Sequence, residues 1–376
     1  MMNIAALKAQ EVNKQKRILF SSDYLKNYSE CINEIFDFGL ITDCNGNLMP
    51  YQVLQILPEH FNQFQKLSVK KDTWLQTFFL NCSEMMKRKM KIILVGNIQI
   101  TGSDGLSSGD DKPDLKHVYR VLKEKYPDYD AIIIKDIALQ YFSNTQGSVV
   151  IPMLPLMQLK IREEWKSFND YIGALSSKYR VRVKAARLRM EPLMAKLLNA
   201  DETVNLSKDL HQLYMNVYEK AKFKIAWFDD DFLVKLKQKY ANELVIQAYF
   251  LDQKPIGFIA VLNDSGIAHA IMIGLDYQFN EAYKLYFNLL IDSISIAINQ
   301  GANKLNMGRT AMEIKSTLGA EPVETYSIAK FRKLSVKLAM KRVISTFRQP
   351  DWEQRKPFRE AKDNLADKRK ERFLQT

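Results

Sequence analysis

The sequence predicts an α/β (α+β) protein made of two tandem halves, the second with a mixed, mainly antiparallel sheet flanked by helices. Three observations carry this. The chain has 376 residues, more than a single hydrophobic core usually holds. Short β-branched runs alternate with helical patterns through the first half. Three apolar runs between 244 and 275, joined by short turns, precede a long apolar helix and one more strand. The boundaries we assign are an arm over 1–17, an α/β half over 18–158, a second half over 159–346 and a charged tail over 347–376.

Composition limits the classes of function. Hydrophobic residues are 47% and charged residues 26% of the chain, as in soluble globular proteins. No apolar run is long enough to span a bilayer, and the N-terminus has no signal-like apolar stretch, so a cytoplasmic protein without a transmembrane segment is expected. Cys31, Cys44 and Cys82 are odd in number and lack metal-ligand spacing, which fits a reducing compartment. His60, His117, His211 and His269 are scattered, so no metal site is expected. The net charge of +12 favours anionic partners: nucleic acid, phosphorylated substrates, CoA or anionic lipid. A solvated basic surface gives the same balance.

In the first half, 19–38 has helical spacing. Runs at 39–43 and 51–57 flank Asn45-Gly46-Asn47 and predict a hairpin. The span 61–89 is helical in pattern, with Trp74, Phe78 and Phe79 facing a core. KIILVGNIQI (91–100) is a strand, leading into TGSDGLSSGDDKPD. That segment lacks the Walker and GxGxxG spacings and reads as a flexible surface loop or a lid. A helix over 114–126 ends at Pro127, and strands follow at 131–137 and 148–154. Lys135-Asp136, at the end of a strand, reads either as a site pair or as a solvent-facing salt pair on the sheet rim; the rim is favoured.

A helix over 165–175 leads to a basic run. Lys178, Arg180, Arg182, Lys184, Arg187 and Arg189 fall in a short segment almost without acids. A solvated connecting helix would interleave Glu, so Lys178, Arg180, Arg182 and Lys184 are expected to bind donor or acceptor phosphates. Helices at 206–221 and 229–240 come next, then strands at 244–251, 256–262 and 267–275. A helix over 280–299 closes at Gly301. GANKLNMGRTAMEIKSTLGAEP then reads as strand, turn at Gly308, helix and stop at Gly319, with another strand at 324–328. A basic helix over 333–347 leads into the charged tail, which Trp352 and Phe358 are expected to dock.

From 165 to 330 this order resembles the GNAT acyltransferase fold. In that family the helix after the last core strand carries a general-acid Tyr four residues before a Leu-Gly ending. Here Leu318-Gly319 match the ending and Lys315 holds the Tyr position. With WKSFNDYIGALSSKYRVRVKAARLR and GRTAMEIKSTLGA, this is similar to the Fem-type and BioF-like relatives. The resemblance implies tandem GNAT-like halves, the first degenerate. It implies transfer of an acyl or aminoacyl group to an amine, often on a peptidoglycan precursor, from acyl-CoA or aminoacyl-tRNA. It also implies that Lys315 stabilises an oxyanion or a donor phosphate, with Arg309 and Glu313 as companions. One departure concerns the donor: the family's glycine-containing pyrophosphate loop corresponds here to DYQFNEAYKLYF, which has no glycine. A non-catalytic module binding RNA or a nucleotide-linked glycan is the rival expectation.

Overall fold

A computed structural model of the chain describes residues 17–56, 89–109, 112–137, 147–221, 224, 226–345 and 349–359. Residues 1–16 of the expected arm, 61–88 of the expected helix over 61–89 with Trp74, Phe78 and Phe79, the residues His60 and Cys82, and the tail beyond 359 lie outside the described residues.

The described chain begins with helix α1 (Ser22–Cys31), whose start is capped by Ser21. Strands β1 (Ile35–Thr42) and β2 (Leu48–Ile56) form the expected antiparallel hairpin. The helix expected over 19–38 therefore stops early, because the chain turns at Glu34, which has a positive φ of 69°, and alternates as a strand from Ile35. Strand β3 (Met90–Val95), helix α2 (Leu115–Lys125) and strand β4 (Ala131–Ile137) make a helical crossover, with β3 and β4 parallel. Strand β3 ends at Gly96 (φ 105°) rather than continuing to 100. Two short strands replace the one expected at 148–154: β5 (Val149–Pro152) and β6 (Leu156–Lys160).

The second half opens with helices α3 (Phe168–Ala174) and α4 (Ser177–Leu188), then strand β7 (Met194–Leu197) and helices α5 (Ala200–Asn205), α6 (Ser207–Lys220) and α7 (Asp231–Lys239). Strands β8 (Leu244–Leu251), β9 (Lys254–Asp264) and β10 (Ile267–Leu275) pair antiparallel in sequence. The helix expected over 280–299 is broken into α8 (Asn280–Tyr283) and α9 (Leu285–Asn299). Lys284 between them takes the left-handed conformation, φ 49°. Strand β11 (Lys304–Asn306), helix α10 (Met312–Ser316), strands β12 (Glu321–Val323) and β13 (Tyr326–Phe331) and helix α11 (Leu334–Ser345) complete the described elements.

The strands form two mixed sheets, ordered β1-β2-β3-β4-β13-β5 and β12-β6-β11-β10-β9-β8-β7. Both are built on one plan: an antiparallel meander, a helical crossover to a parallel strand, and two more antiparallel strands. In each sheet the strand next to the crossover strand comes from elsewhere in the chain. Strand β6 leaves the first half and pairs between β11 and β12; β13 leaves the second half and pairs between β4 and β5. The exchange is reciprocal.

Apolar side chains cover both faces of the second sheet. One face packs α3, α4 and α9 through Tyr171, Val183, Ala186, Leu289 and Ile294. The other packs α1, α6 and α7 through Tyr24, Tyr28, Leu210 and Phe232, and reaches the hairpin at Phe38 and Leu48. Helix α2 covers one face of the first sheet through Val118 and Leu122, and α11 packs on the other through Val336 and Met340.

Two loop readings change. The glycine- and serine-rich segment is packed between the sheets as far as it is described: Gly102, Gly105, Leu106 and Ser107 are buried. Lys135 and Asp136 are buried too, at 8% and 0% exposure, not at a solvent-facing rim. Asp136 accepts from Gly102 N at 3.0 Å and pairs with Lys135 Nζ at 2.7 Å, so it ties that loop to β4. The tail docks as expected. Phe358 stacks against Trp165 with ring centres 5.4 Å apart, and Trp352 packs on the same cluster.

Candidate active site

Strands β10 and β11 are parallel neighbours joined by the α9 crossover. They are hydrogen-bonded only from Ile267–Lys304 to His269–Asn306. Past that point β10 continues to Leu275, bulging between Ala270 and Met272, while the chain after Asn306 turns away. The two parallel strands therefore part toward their carboxyl ends, where open α/β sheets place ligands, and bulges recur beside such sites.

A cleft of about 650 Å³ lies at the start of α9. Helix α4 contributes Arg182, Ala185 and Ala186, the segment after it Arg189, the α8–α9 break Asn280, Glu281, Lys284, Tyr286 and Phe287, and α10 Ile314. Three cations thus converge on the N-terminus of a 15-residue helix, whose dipole favours an anion. The broken helix is held by side chains. Asn280 Oδ1 accepts from Tyr286 N at 2.9 Å. Asn288 donates to Tyr283 O at 3.0 Å and across to Ala186 O at 2.9 Å, fixing α4 against α9. Arg187 of α4 pairs with buried Asp292 of α9 and donates to Tyr249 OH at 3.2 Å. These links set the height of Arg182, whose guanidinium lies 5.2 Å from the Phe287 ring centre. Burial pushes the Tyr286 phenol up to about 12, so it stays a protonated donor at neutral pH.

The structure separates the expected site residues. Arg182 lines the cleft. Lys184 is exposed on another face of α4, Lys178 is exposed one turn before Arg182 and outside the cleft lining, and Arg180 donates to Leu175 O at 3.0 Å beside its own helix. Arg309 is placed at the crossing of the exchanged strands. It donates to Leu154 O, between β5 and β6, at 2.7 Å, to Thr325 Oγ1, between β12 and β13, at 2.7 Å, and pairs with Asp136. Burial acts to raise the Asp136 carboxyl, but the Lys135 and Arg309 cations outweigh it and hold the group below the usual carboxylate range. Glu313 is an exposed partner of Arg355 at 2.5 Å, a contact that pins the tail to α10.

Lys315 is 3% exposed. Its Nζ donates to Arg309 O at 2.6 Å, in the turn that leaves β11. Burial lowers its pKa to about 7. The cleft-facing residue of its helix is the neighbouring Ile314, so Lys315 stands behind the wall. The turn between them is strained: Thr310 and Ala311 have φ of 61° and 46°, a conformation disfavoured for residues other than glycine and concentrated at functional sites.

Arg189 belonged to the basic run. Asn280, Glu281, Lys284 and Tyr286 fall in DYQFNEAYKLYF, the segment that corresponds to the family's pyrophosphate loop, but none was singled out, because only the break at Lys284 gathers them. A second polar group at the paired end of β10 and β11 was also unread. His269 is buried, its Nδ1 3.2 Å from Asn306 Nδ2, which donates to Asp104 at 2.8 Å. Among the described residues no group of three or more metal-ligating side chains stands together, and no helix is long and apolar enough to cross a membrane.

Residues 156–363 match the FemAB-like family model, described as peptidoglycan biosynthesis/recognition. Among curated proteins none matches the chain. Among solved structures, the chain is similar to FemX at 8% identity and a TM-score of 0.52, over 91% of this chain and 99% of that one. It is similar to L-PGS from Bacillus licheniformis at 12% identity and a TM-score of 0.52, over 92% of this chain and 97% of that one. At such identity these two likenesses speak for the fold.

Proposed function

The chain belongs to the FemAB-like family, and on that premise we propose that it transfers an acyl or aminoacyl group to an amine acceptor in cell-envelope biosynthesis. The observation that carries the reading is the cleft at the start of α9, with Arg182, Arg189 and Lys284 around it. An activated acyl donor of either kind, acyl-CoA or aminoacyl-tRNA, is a polyanion with a reactive carbonyl at one end. Three cations and a helix N-terminus suit its phosphates. Lys284 breaks the helix with a left-handed backbone in the segment that corresponds to the family's glycine-containing loop.

In the reaction the amine nitrogen attacks the carbonyl carbon, a C–N bond forms, and the C–S or C–O bond to the carrier breaks. The nitrogen gives up a proton and the carrier's thiolate or alkoxide gains one. We assign the handling of charge to Lys315. It stands behind Ile314 and holds the turn at Arg309 O, so it acts as a nearby charge and not as the group that takes the amine's proton. As an ammonium it also offsets an oxyanion. Arg309 and Glu313 hold the turn and the tail around it.

The test supplies purified protein with labelled aminoacyl-tRNAs and acyl-CoAs in separate arms and an amine-bearing peptidoglycan precursor. Transfer is expected from one donor class, with Arg182→Ala and Arg189→Ala together raising the donor KM roughly tenfold while kcat changes less. Donor binding without transfer from any donor would overturn it in favour of a non-catalytic module for an anionic partner. That second reading draws on Ile314, not Lys315, facing the cleft.

A further inference from the structure

Helix α4 has a face that the cleft does not use. At about 3.6 residues per turn, Val181, Ala185 and Leu188 form one line, opposite the buried Val183 and Ala186. Val181 is 66% and Leu188 61% exposed. Lys184 flanks the line on one side, and Lys178, Arg182 and Arg189 on the other. The helix contains no Asp or Glu. Strand β7 follows directly at the free edge of its sheet, with Met194 and Leu197 exposed at 55% and 64%. Of the acids nearby, Glu202 is engaged by Lys196 at 2.6 Å, Glu281 lies in the cleft, and Glu191 is exposed in the connection from α4 to β7.

We propose that this face of α4 and β7 docks on an anionic phospholipid bilayer. Large aliphatic side chains with cations on both sides are the pattern of a helix lying in a membrane interface. The cations meet the negative headgroups, and the aliphatic stripe enters the acyl boundary. Nucleic acid would use the cations but leaves exposed Val and Leu without a role. A second copy of this chain, joined by a two-fold axis, would set cations against cations. Because Ala185, Arg182 and Arg189 also line the cleft, docking turns the cleft mouth to the lipid surface. The proposal is independent of whether the cleft performs transfer.

The full chain is sedimented with vesicles of phosphatidylcholine alone and with added phosphatidylglycerol. Binding is expected to be at least ~10-fold stronger on the anionic vesicles and to weaken with salt. Val181→Ser with Leu188→Ser should lose ~10-fold of that binding at unchanged melting temperature, as exposed positions allow. Lys178→Glu with Lys184→Glu should lose at least as much. No preference for anionic vesicles, or unchanged binding by the serine variant, would overturn the proposal. So would RNA binding that survives the serine changes without vesicle binding, or a lipid-free dimer that those changes abolish.

Discussion

Replacing Lys315 with Met tests whether a buried amine serves the reaction at the expense of the fold. Met keeps the unbranched length and removes the charge. The folded pKa of about 7 stands against an ordinary 10.5. At about 1.36 kcal/mol per pH unit, that difference makes the charged form cost about 4–5 kcal/mol of stability. The sign follows from proton counting. Between pH 7 and 10.5 the unfolded chain holds the proton and the folded chain releases it. Stability therefore rises with pH across this window, and the cost is fully present below it. Lys315→Met removes the cost but leaves Arg309 O without its donor, worth about 1–3 kcal/mol. The expected net gain at pH 7 is about 1–4 kcal/mol, with a flatter stability profile from pH 7 to 10.5 in denaturant melts. Transfer activity should fall about a hundredfold, about 3 kcal/mol of transition-state stabilisation. An unchanged slope would show that this amine does not titrate from a buried site. Full activity at higher stability would remove Lys315 from the chemistry, and loss of stability together with activity would make it a structural residue.

Three further outcomes are expected. Gly319 has φ 92°, and a Cβ there would lie 2.2 Å from Phe358 Cε2; Gly319→Ala should cost about 2–3 kcal/mol in urea melts, and a neutral result would mean that the tail does not sit on this glycine. Asp136→Asn leaves Arg309 and Lys135 buried without their carboxylate and should cost about 3–5 kcal/mol; Arg309→Met added to it should recover part of the loss, and strict additivity would deny the pairing. His269 is held near a pKa of about 4 by burial, against an ordinary 6.5, with Asp104, Arg17 and Lys304 as the charges around it. The folded chain resists protonation, so stability is lost as pH falls from 6.5 to 4, by about 3 kcal/mol, and His269→Gln should abolish that portion of the acid sensitivity.

What could be read from sequence was whatever local pattern determines. Strands β8, β9 and β10 are continuous apolar runs closed by Asp252-Gln253 and Ser265-Gly266 turns, and their pairing needs no distant partner. Leu318-Gly319 and Lys315 were singled out by their resemblance to the family's helix ending, not by spacing alone. Strands β6, β7 and β12 were not: β6 is five residues between prolines and a turn, β12 is three, and each exists only because a remote strand meets it. Lys135 and Asp136 look like rim residues until Arg309, far along the chain, arrives to neutralise Asp136. The cleft was legible in Arg182 and, through the resemblance, in DYQFNEAYKLYF as the segment that corresponds to the family's pyrophosphate loop. Its other wall depends on a left-handed Lys284, and nothing in DYQFNEAYKLYF announces a helix break at lysine.

The reciprocal strand exchange also has a consequence for synthesis. The first sheet cannot close until Tyr326–Phe331 has been made, because that strand fills the space between β4 and β5. Through most of translation the growing chain carries β4 and β5 with open edges, each able to pair with a neighbouring chain. Early and late parts of the chain must therefore mature together, a slow event dominated by remote pairings. Asp136 waits for its second cation until Arg309, far along the chain, has been made. A ribosome-bound chain stopped short of residue 326 should expose both.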